Sequence, residues 1–226
     1  MSWSSGKDAA LALYRLQLTE REPVSLLVSV LNAERQRVSM HGLSRTLLEK
    51  QLAALALPYR LLELPESPSN TTYERHWQNL LRNLKKEGYQ RAVFGDIFLQ
   101  DLRHYREGLL KANGFRGGFP LWKEDTRQLF RHFLEAGFKA LVAAVDARVL
   151  DQSFLFRELD ESFLNDLPPG VDPCGENGEF HTFCYAGPLF QTPVAFRCGE
   201  KVYRHYQNGD QQWGSWFGEL LEPEKA

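Results

Sequence analysis

The sequence lacks a long apolar run and has almost no net charge. No apolar stretch reaches the roughly 18 residues that a membrane-spanning helix needs, and the first residues lack the charged-then-apolar pattern of a secretory signal. The 226 residues carry 27 Lys and Arg against 29 Asp and Glu, a net charge of −2. A basic footprint for nucleic acid is therefore missing. We predict a cytoplasmic protein that contacts neither membrane nor nucleic acid.

Cysteine is also scarce. The three cysteines form no C-x-x-C pair, and any single disulfide would leave one of them unpaired. This excludes a disulfide framework and favours reduced thiols, as in cytosolic proteins. The residues concerned are Cys174, Cys184 and Cys198.

Strands and helices alternate over the first two thirds of the chain. Residues 24–31 are apolar at nearly every position, which is typical of a parallel strand buried on both faces. We predict an α/β fold, with a parallel-sheet αβα sandwich over residues 1–166 and a smaller β-rich portion over residues 167–226. The predicted strands are 24–31, 59–64, 91–96 and 138–145, then short strands at 194–197, 201–206 and 213–220; the predicted helices cover about 43–56, 71–86, 102–112 and 125–136.

The segment Ser4-Ser5-Gly6-Lys7-Asp8 leads directly into an Ala/Leu-rich helix. Small residues let the backbone approach a phosphate, the first N–H groups of the helix point at it, and Lys7 adds a positive charge. A polar helix cap with Ser4 or Ser5 as N-cap is the alternative. The G-x-x-x-x-G-K-[ST] phosphate loop is absent.

A loop of this kind is expected to follow a buried strand at the centre of the sheet. Only Met1-Ser2-Trp3 precede it here. We therefore expect Met1 to be an internal methionine of a longer reading frame, with several apolar residues before Ser2.

A second polar segment lies at residues 172–183, where two glutamates, an amide, an imidazole and a thiol stand among turn-forming glycines. Such a segment predicts either a site or a tight β-turn with exposed charges. The side chains concerned are Cys174, Glu176, Asn177, Glu179 and His181.

Both segments resemble motifs of one enzyme family. Residues 4–8 resemble the S-G-G-x-D-[ST] loop of the PP-loop ATP pyrophosphatases, with Ser5 in place of a Gly and Ala9 in place of a hydroxyl residue. Residues 175–182 resemble the G-E-x-G-E-[FY]-x-T motif of the diphthine–ammonia ligase family. The resemblance covers nearly the whole chain and extends to Gly95-Asp96-Ile97, Arg103, Pro120-Leu121-Trp122 and Asp172-Pro173.

The resemblance implies an adenine nucleotide alpha hydrolase-like, Rossmann-like fold and an ATP-dependent ligase. ATP adenylates a carboxylate and ammonia then displaces AMP, with Mg²⁺ neutralising the phosphates. Since no glutaminase segment is visible, free ammonium is the expected nitrogen donor. His181 stands where the family usually has Glu, and Asn177 where it commonly has Gly. These departures indicate a bacterial-type member whose acceptor is an unidentified carboxylate, on a small molecule or a protein, other than diphthine.

The resemblance also implies roles for individual residues. For two residues a structural role is the alternative: Asp96 would cap a helix in place of binding nucleotide, and Arg103 would form a surface ion pair in the same sense. The expected nucleotide-binding residues are Ser4, Ser5, Gly6, Lys7, Asp8, His41, Gly95, Asp96 and Arg103; the expected catalytic residues, which order the loop, orient ammonium or act as general base, are Asp8, Glu176, Glu179 and His181.

Two other functions remain open at this point. The first is a nucleotide-binding regulatory module without turnover. The second is a PP-loop enzyme that transfers sulfur to tRNA through Cys174. A homodimer is compatible with the sequence.

Overall fold

The computed structural model describes residues 1–19, 23–38, 42–208 and 211–224. Its first part alternates helices and strands, as predicted. The elements are α1 (Lys7–Thr19), β1 (Leu27–Asn32), β2 (Arg37–Val38), α2 (Arg45–Ala54), β3 (Tyr59–Leu64), α3 (Asn70–Lys86), β4 (Arg91–Val93), α4 (Gln100–Ala112), β5 (Arg116–Gly118), α5 (Thr126–Glu135), β6 (Lys139–Asp146), α6 (Glu161–Asp166), β7 (Phe180–Ala186), β8 (Arg197–Asn208) and β9 (Gln211–Leu221).

The first three residues lie at the centre of the parallel strands. β1 pairs in parallel with β3, and β4 with β5. Between these pairs, the Ser2 N–H donates to the Val93 carbonyl at 2.8 Å and the Trp3 N–H donates to the Val28 carbonyl at 2.8 Å. Residues 1–3 therefore occupy the position expected for the strand that leads into the Ser4–Asp8 loop.

Helices cover both faces of these strands. Leu27 and Leu31 of β1 pack in one hydrophobic cluster with residues of α1, α2 and α5. Val28, on the opposite face, packs in a second cluster with Trp77 of α3 and Leu110 of α4. This alternation is that of a strand buried on both faces, and it confirms the predicted αβα arrangement.

The C-terminal part is rich in β-structure, as predicted, and its four strands form an antiparallel sheet in the order β7-β6-β9-β8. Two details of the predicted strands were wrong. The strand at 138–145 was expected among the parallel strands, but β6 lies inside the antiparallel sheet. Residues 194–196 form no strand, and β8 begins only at Arg197. The domain division after residue 166 stays a prediction.

All three cysteines are free thiols, in agreement with the prediction. Across the described ranges, none of the helices is both long enough and apolar enough to cross a membrane.

Candidate functional site

A cavity of about 600 Å³ lies where the start of α1, the end of β4 and the segment before β7 meet. This is the carboxyl edge of the parallel strands, where ligands of such sheets bind. Seven of the expected nucleotide-binding and catalytic residues line it: Ser4, Lys7, Asp8, Gly95, Asp96, Glu176 and His181.

The loop before α1 is held by hydrogen bonds to its own side chains and to β7. The Gly6 N–H donates to Ser4 Oγ at 3.4 Å, and the Lys7 N–H donates to Thr182 Oγ1 at 3.0 Å. The Ser5 carbonyl accepts from the Cys184 N–H at 2.9 Å. The Gly6 N–H that Ser4 Oγ accepts from lies ahead of α1, and Ser5 Oγ has no partner among the described residues, so neither side chain forms the helix cap of the alternative. Ser4 and Lys7 line the cavity, and the anion site stays a prediction.

Ser5 adopts a conformation that favours glycine. Its φ is +76°, in the left-handed region, and it stands where the PP-loop pattern has Gly. The residue is fully buried, and its Oγ has no hydrogen-bond partner in the described part of the chain. Both features cost free energy of folding.

Ser5→Gly is therefore expected to raise the free energy of unfolding by about 1 kcal/mol, because it removes the strain and the buried hydroxyl. Chemical denaturation measures this change. Ala56→Gly is the matched control, since Ala56 has φ +52° on the exposed surface just after α2 and carries no buried hydroxyl. A Ser5→Gly variant less stable than the parent would contradict the strain argument.

Lys7 places a buried positive charge at the cavity wall. Its side chain is 5% exposed, and Nζ lies 2.8 Å from Asp8 Oδ2. Nζ also donates to the Cys174 carbonyl oxygen. Burial lowers the pKa of Lys7, but the Asp8 charge and weaker effects from Cys174 and Glu176 outweigh it and raise the pKa above its usual value. Lys7 therefore stays charged.

Asp96 offers an incompletely satisfied carboxylate. Arg106 Nη1 lies 2.8 Å from Asp96 Oδ2, yet this ion pair lacks hydrogen-bond geometry, and among described residues the buried oxygen accepts no hydrogen bond. Burial raises the pKa of Asp96; Arg106 opposes this effect and the nearby Asp8 charge adds to it. Asp96 thus retains capacity to bind a further partner.

Glu176 connects the segment before β7 to the end of β4. Its Oε1 accepts from the Ile97 N–H at 2.7 Å and from the Phe98 N–H at 3.2 Å. Burial raises the pKa of Glu176 to about 7; these hydrogen bonds oppose the shift, and the charges of Asp8 and Asp96 reinforce it. A carboxyl group that titrates near neutral pH suits proton transfer.

Glu179 does not line the cavity. It is 7% exposed, and its Oε1 accepts from the Asp172 N–H and from Asn177 Nδ2, each at 3.0 Å. These bonds shape the turn that presents Glu176. Because Glu179 is buried, this segment differs from the tight β-turn with exposed charges that was the alternative to a site.

Arg103 also lies away from the cavity. Its guanidinium lies over the rings of Phe119 and Trp122, at 4.7 and 4.5 Å, and Nε lies 2.8 Å from Glu107. Arg106, three residues further along α4, lines the cavity instead. Leu99 and Leu102 also line the cavity, and Arg106 follows Leu102 at the spacing that places side chains on one face of a helix. This spacing could have identified Arg106 from the sequence. His41 lies outside the described residues.

Sequence reasoning missed the apolar wall of the cavity. Three of the side chains lie on β1, β2 and β3, two prolines follow β3, and Tyr73 lies on α3. The position of the first five at or near the carboxyl ends of strands could have indicated them. Residues 146–151 contribute no lining residue to this cavity. The missed residues are Val30, Val38, Leu64, Pro65, Pro68 and Tyr73.

The residues present fit a magnesium ion that is also held by phosphates. Within the described ranges, no three His, Cys, Asp or Glu side chains are grouped to hold a metal. Mg²⁺ usually takes one or two carboxylates together with substrate phosphates and water. Asp8 and Asp96 offer such oxygen ligands, and the buried Asp96 Oδ2 lacks a hydrogen bond in this part of the chain.

The buried cysteines are protonated thiols. Burial raises the pKa of both Cys174 and Cys184 far above the usual range. Cys174 Sγ donates to the Thr126 carbonyl at 3.3 Å. Because the thiolate is the nucleophilic form, this environment does not favour sulfur transfer.

Comparison with known proteins agrees with this geometry. Residues 1–117 match the family model described as diphthamide synthase N-terminal domain, and residues 125–213 match the diphthamide synthase C-terminal domain. Diphthine–ammonia ligase from Homo sapiens is 29% identical over 129 residues, which are 54% of this chain and 48% of that protein. The Mus musculus protein is 30% identical over the same shares, and the Danio rerio protein is 27% identical over 145 residues, 60% of this chain and 56% of the relative.

The chain spans about half the length of the curated relatives it matches. The two family models together cover most of its own length, and they follow each other in the order in which the two sequence motifs occur. The chain belongs to the diphthamide synthase family.

Proposed function

We propose that this protein is an ATP-dependent ligase that adenylates a carboxylate, transfers ammonia to it, and releases AMP and pyrophosphate. The cavity carries the proposal, because a helix start, the carboxylates of Asp8, Asp96 and Glu176, and the His181 imidazole all line it. The similarity to relatives named diphthine–ammonia ligase supports it. Cytoplasmic location and homodimer formation stay predictions.

The polar part of the cavity suits the triphosphate of ATP, and the apolar part suits the adenine. The triphosphate would lie at the start of α1, where Lys7 supplies positive charge and the helix supplies partial positive charge. The adenine would lie against Val30, Val38 and Leu64. When bound, Mg²⁺ would supply charge neutralisation on the phosphates, with Asp8 and Asp96 as its protein ligands.

The reaction has two displacements. A carboxylate oxygen of the acceptor attacks the α-phosphorus, and the bond to the pyrophosphate oxygen breaks. Ammonia then attacks the acyl carbon, and the bond to the AMP oxygen breaks. Ammonium must lose a proton before it can attack, and Glu176, whose pKa is about 7, is the base that we assign to this step. His181 lines the same cavity and offers a second titratable group.

Arg106 is the cation that we assign to the acceptor side. Its side chain is 26% exposed at the cavity wall, and its guanidinium lies 4.3 Å from the centre of the Phe94 ring. A guanidinium binds a carboxylate or a phosphate in bidentate fashion. Arg103, which was expected among the nucleotide-binding residues, does not line the cavity. The acceptor is an unidentified carboxylate other than diphthine.

Product analysis tests the proposed reaction. The protein is incubated with Mg²⁺, ATP and ammonium chloride, with and without the small-molecule fraction of a boiled cell extract. AMP and pyrophosphate in equal amounts, dependent on both ammonium and extract, are the expected products. ADP as the product would contradict the proposal.

A regulatory nucleotide-binding module is the second candidate, and the environment of Lys7 favours it. Lys7 Nζ already contacts Asp8 and Cys174, and the Lys7 N–H already donates to Thr182. Ala9 also lacks the hydroxyl of the PP-loop pattern. Tight binding of ATP that is recovered unchanged from every incubation would support this candidate over the ligase.

A further inference from the structure

We propose that Gln51 is a positioning residue of the nucleotide site, an inference that rests on the proposed function. Gln51 lies on α2, is fully buried, and does not line the cavity. It acts through Ser5 of the loop and Cys184 of β7, which its amide joins.

The Gln51 amide uses both of its ends. Nε2 donates to the Ser5 carbonyl at 2.9 Å and to the Cys184 carbonyl at 2.6 Å, and Oε1 accepts from Trp3 Nε1 at 2.9 Å. The orientation of the amide is chemically determined, since an indole N–H can only donate and a carbonyl can only accept. No isosteric side chain satisfies these three partners at once.

The network closes around the strained residue of the loop. The Ser5 carbonyl also accepts from the Cys184 N–H at 2.9 Å, so Ser5, Cys184 and Gln51 form a ring of hydrogen bonds. A left-handed φ at a non-glycine residue persists only where its surroundings fix it. Gln51 supplies part of that constraint, and it thereby helps to fix the loop whose Ser4 and Lys7 line the cavity.

The same ring ties the loop before α1 to β7, a second element of the cavity. β7 carries His181 at the cavity wall, and Thr182 of β7 accepts from the Lys7 N–H. Gln51 therefore fixes the loop against the strand that carries His181. Misplacement of reacting groups by about 1 Å can cost about 100-fold in rate. Because the ring is already formed before ATP binds, less conformational entropy is lost on binding.

The test compares two Gln51 variants with a control of the same helix. Gln51→Met removes all three hydrogen bonds at similar volume. Gln51→Glu keeps the acceptor for Trp3 but, when ionised, loses both donors. Leu48→Ala destabilises buried α2 packing without touching the ring. Mg-ATP affinity is measured by calorimetry at a temperature where every variant is folded by circular dichroism.

We expect Gln51→Met and Gln51→Glu to weaken Mg-ATP binding about tenfold or more, while Leu48→Ala binds like the parent. The Cys184 amide should also exchange its hydrogen faster in the Gln51 variants. Parental affinity in a folded Gln51 variant would overturn the inference and leave the proposed function intact. Absence of binding in the parent protein would instead overturn the proposed function. If Gln51→Met does not fold, the result for Gln51→Glu decides.

Discussion

Replacing Gly95 by alanine is expected to weaken Mg-ATP binding by more than about tenfold. A Cβ on Gly95 would lie 3.0 Å from the backbone C and O of Asp8 and 3.1 Å from the backbone N of Ala9. These are backbone atoms of the first turn of α1, so the clash cannot be relieved by a change of rotamer. The helix start must move away from β4, and Lys7 and Asp8, which we propose act on the phosphates, move with it. Overpacking of this kind also costs about 1–3 kcal/mol of stability.

Calorimetry gives the change in affinity and chemical denaturation gives the change in stability. Gly108→Ala is the matched control, because Gly108 lies within α4 and a Cβ there would meet no atom within 4 Å. That control should bind Mg-ATP like the parent and gain up to about 1 kcal/mol in stability, since alanine favours helix more than glycine does. Normal ATP affinity in Gly95→Ala would show that the nucleotide does not use the start of α1.

The regular elements of the first half could be predicted because their signals are local. β3 has the predicted bounds, and α3 differs at its start by one residue. β6 shows the limit of this reasoning: its apolar residues are buried on both faces, a pattern that fits either kind of sheet. Only the long-range pairing of β6 with β7 and β9 decides which kind of sheet it joins, and no short-range pattern encodes that pairing.

The site was predictable at the level of segments and less so at the level of side chains. Glu176 and Glu179 are both acidic residues of one turn, but only Glu176 lines the cavity while Glu179 bonds to the turn itself. Arg103 and Arg106 lie one turn apart on α4, and aromatic rings hold Arg103 away from the cavity. Gln51 belongs to no sequence motif, because its partners, two backbone carbonyls and the Trp3 indole, are brought together only by the fold.

Glu176→Gln is expected to abolish most of the ligase turnover and much of the pH dependence of stability. The pKa of Glu176 rises from its usual 4.5 to about 7 in the folded protein. Ionisation is therefore less favourable in the folded state than in the unfolded state. The corresponding stability is fully present below about pH 4.5 and is lost as the pH rises through about 7. Allowing for partial solvent exposure, we expect a loss on the order of 1–2 kcal/mol.

Glutamine keeps an oxygen that can accept from Ile97 and Phe98, so the turn should persist in the variant. Thermal denaturation from pH 4.5 to 8 should show a smaller fall in stability for Glu176→Gln than for the parent. Glu135→Gln, on the exposed end of α5, is the control and should follow the parent. A fall that persists unchanged in Glu176→Gln would assign the titration to Asp8 or Asp96, whose pKa values burial also raises.

The pH dependence of the reaction rate in the same variant shows whether Glu176 acts as a general base or only holds the turn in place. In the parent, kcat/KM for ammonium should rise up to about pH 7, as Glu176 becomes ionised, and level off above it. Glu176→Gln should lower kcat by about 100-fold or more and lose the levelling-off, because free ammonia alone then sets the pH dependence, while Mg-ATP affinity stays within a few-fold of the parent. Loss of affinity together with an unchanged pH profile would mean that Glu176 shapes the nucleotide pocket and that another group accepts the proton.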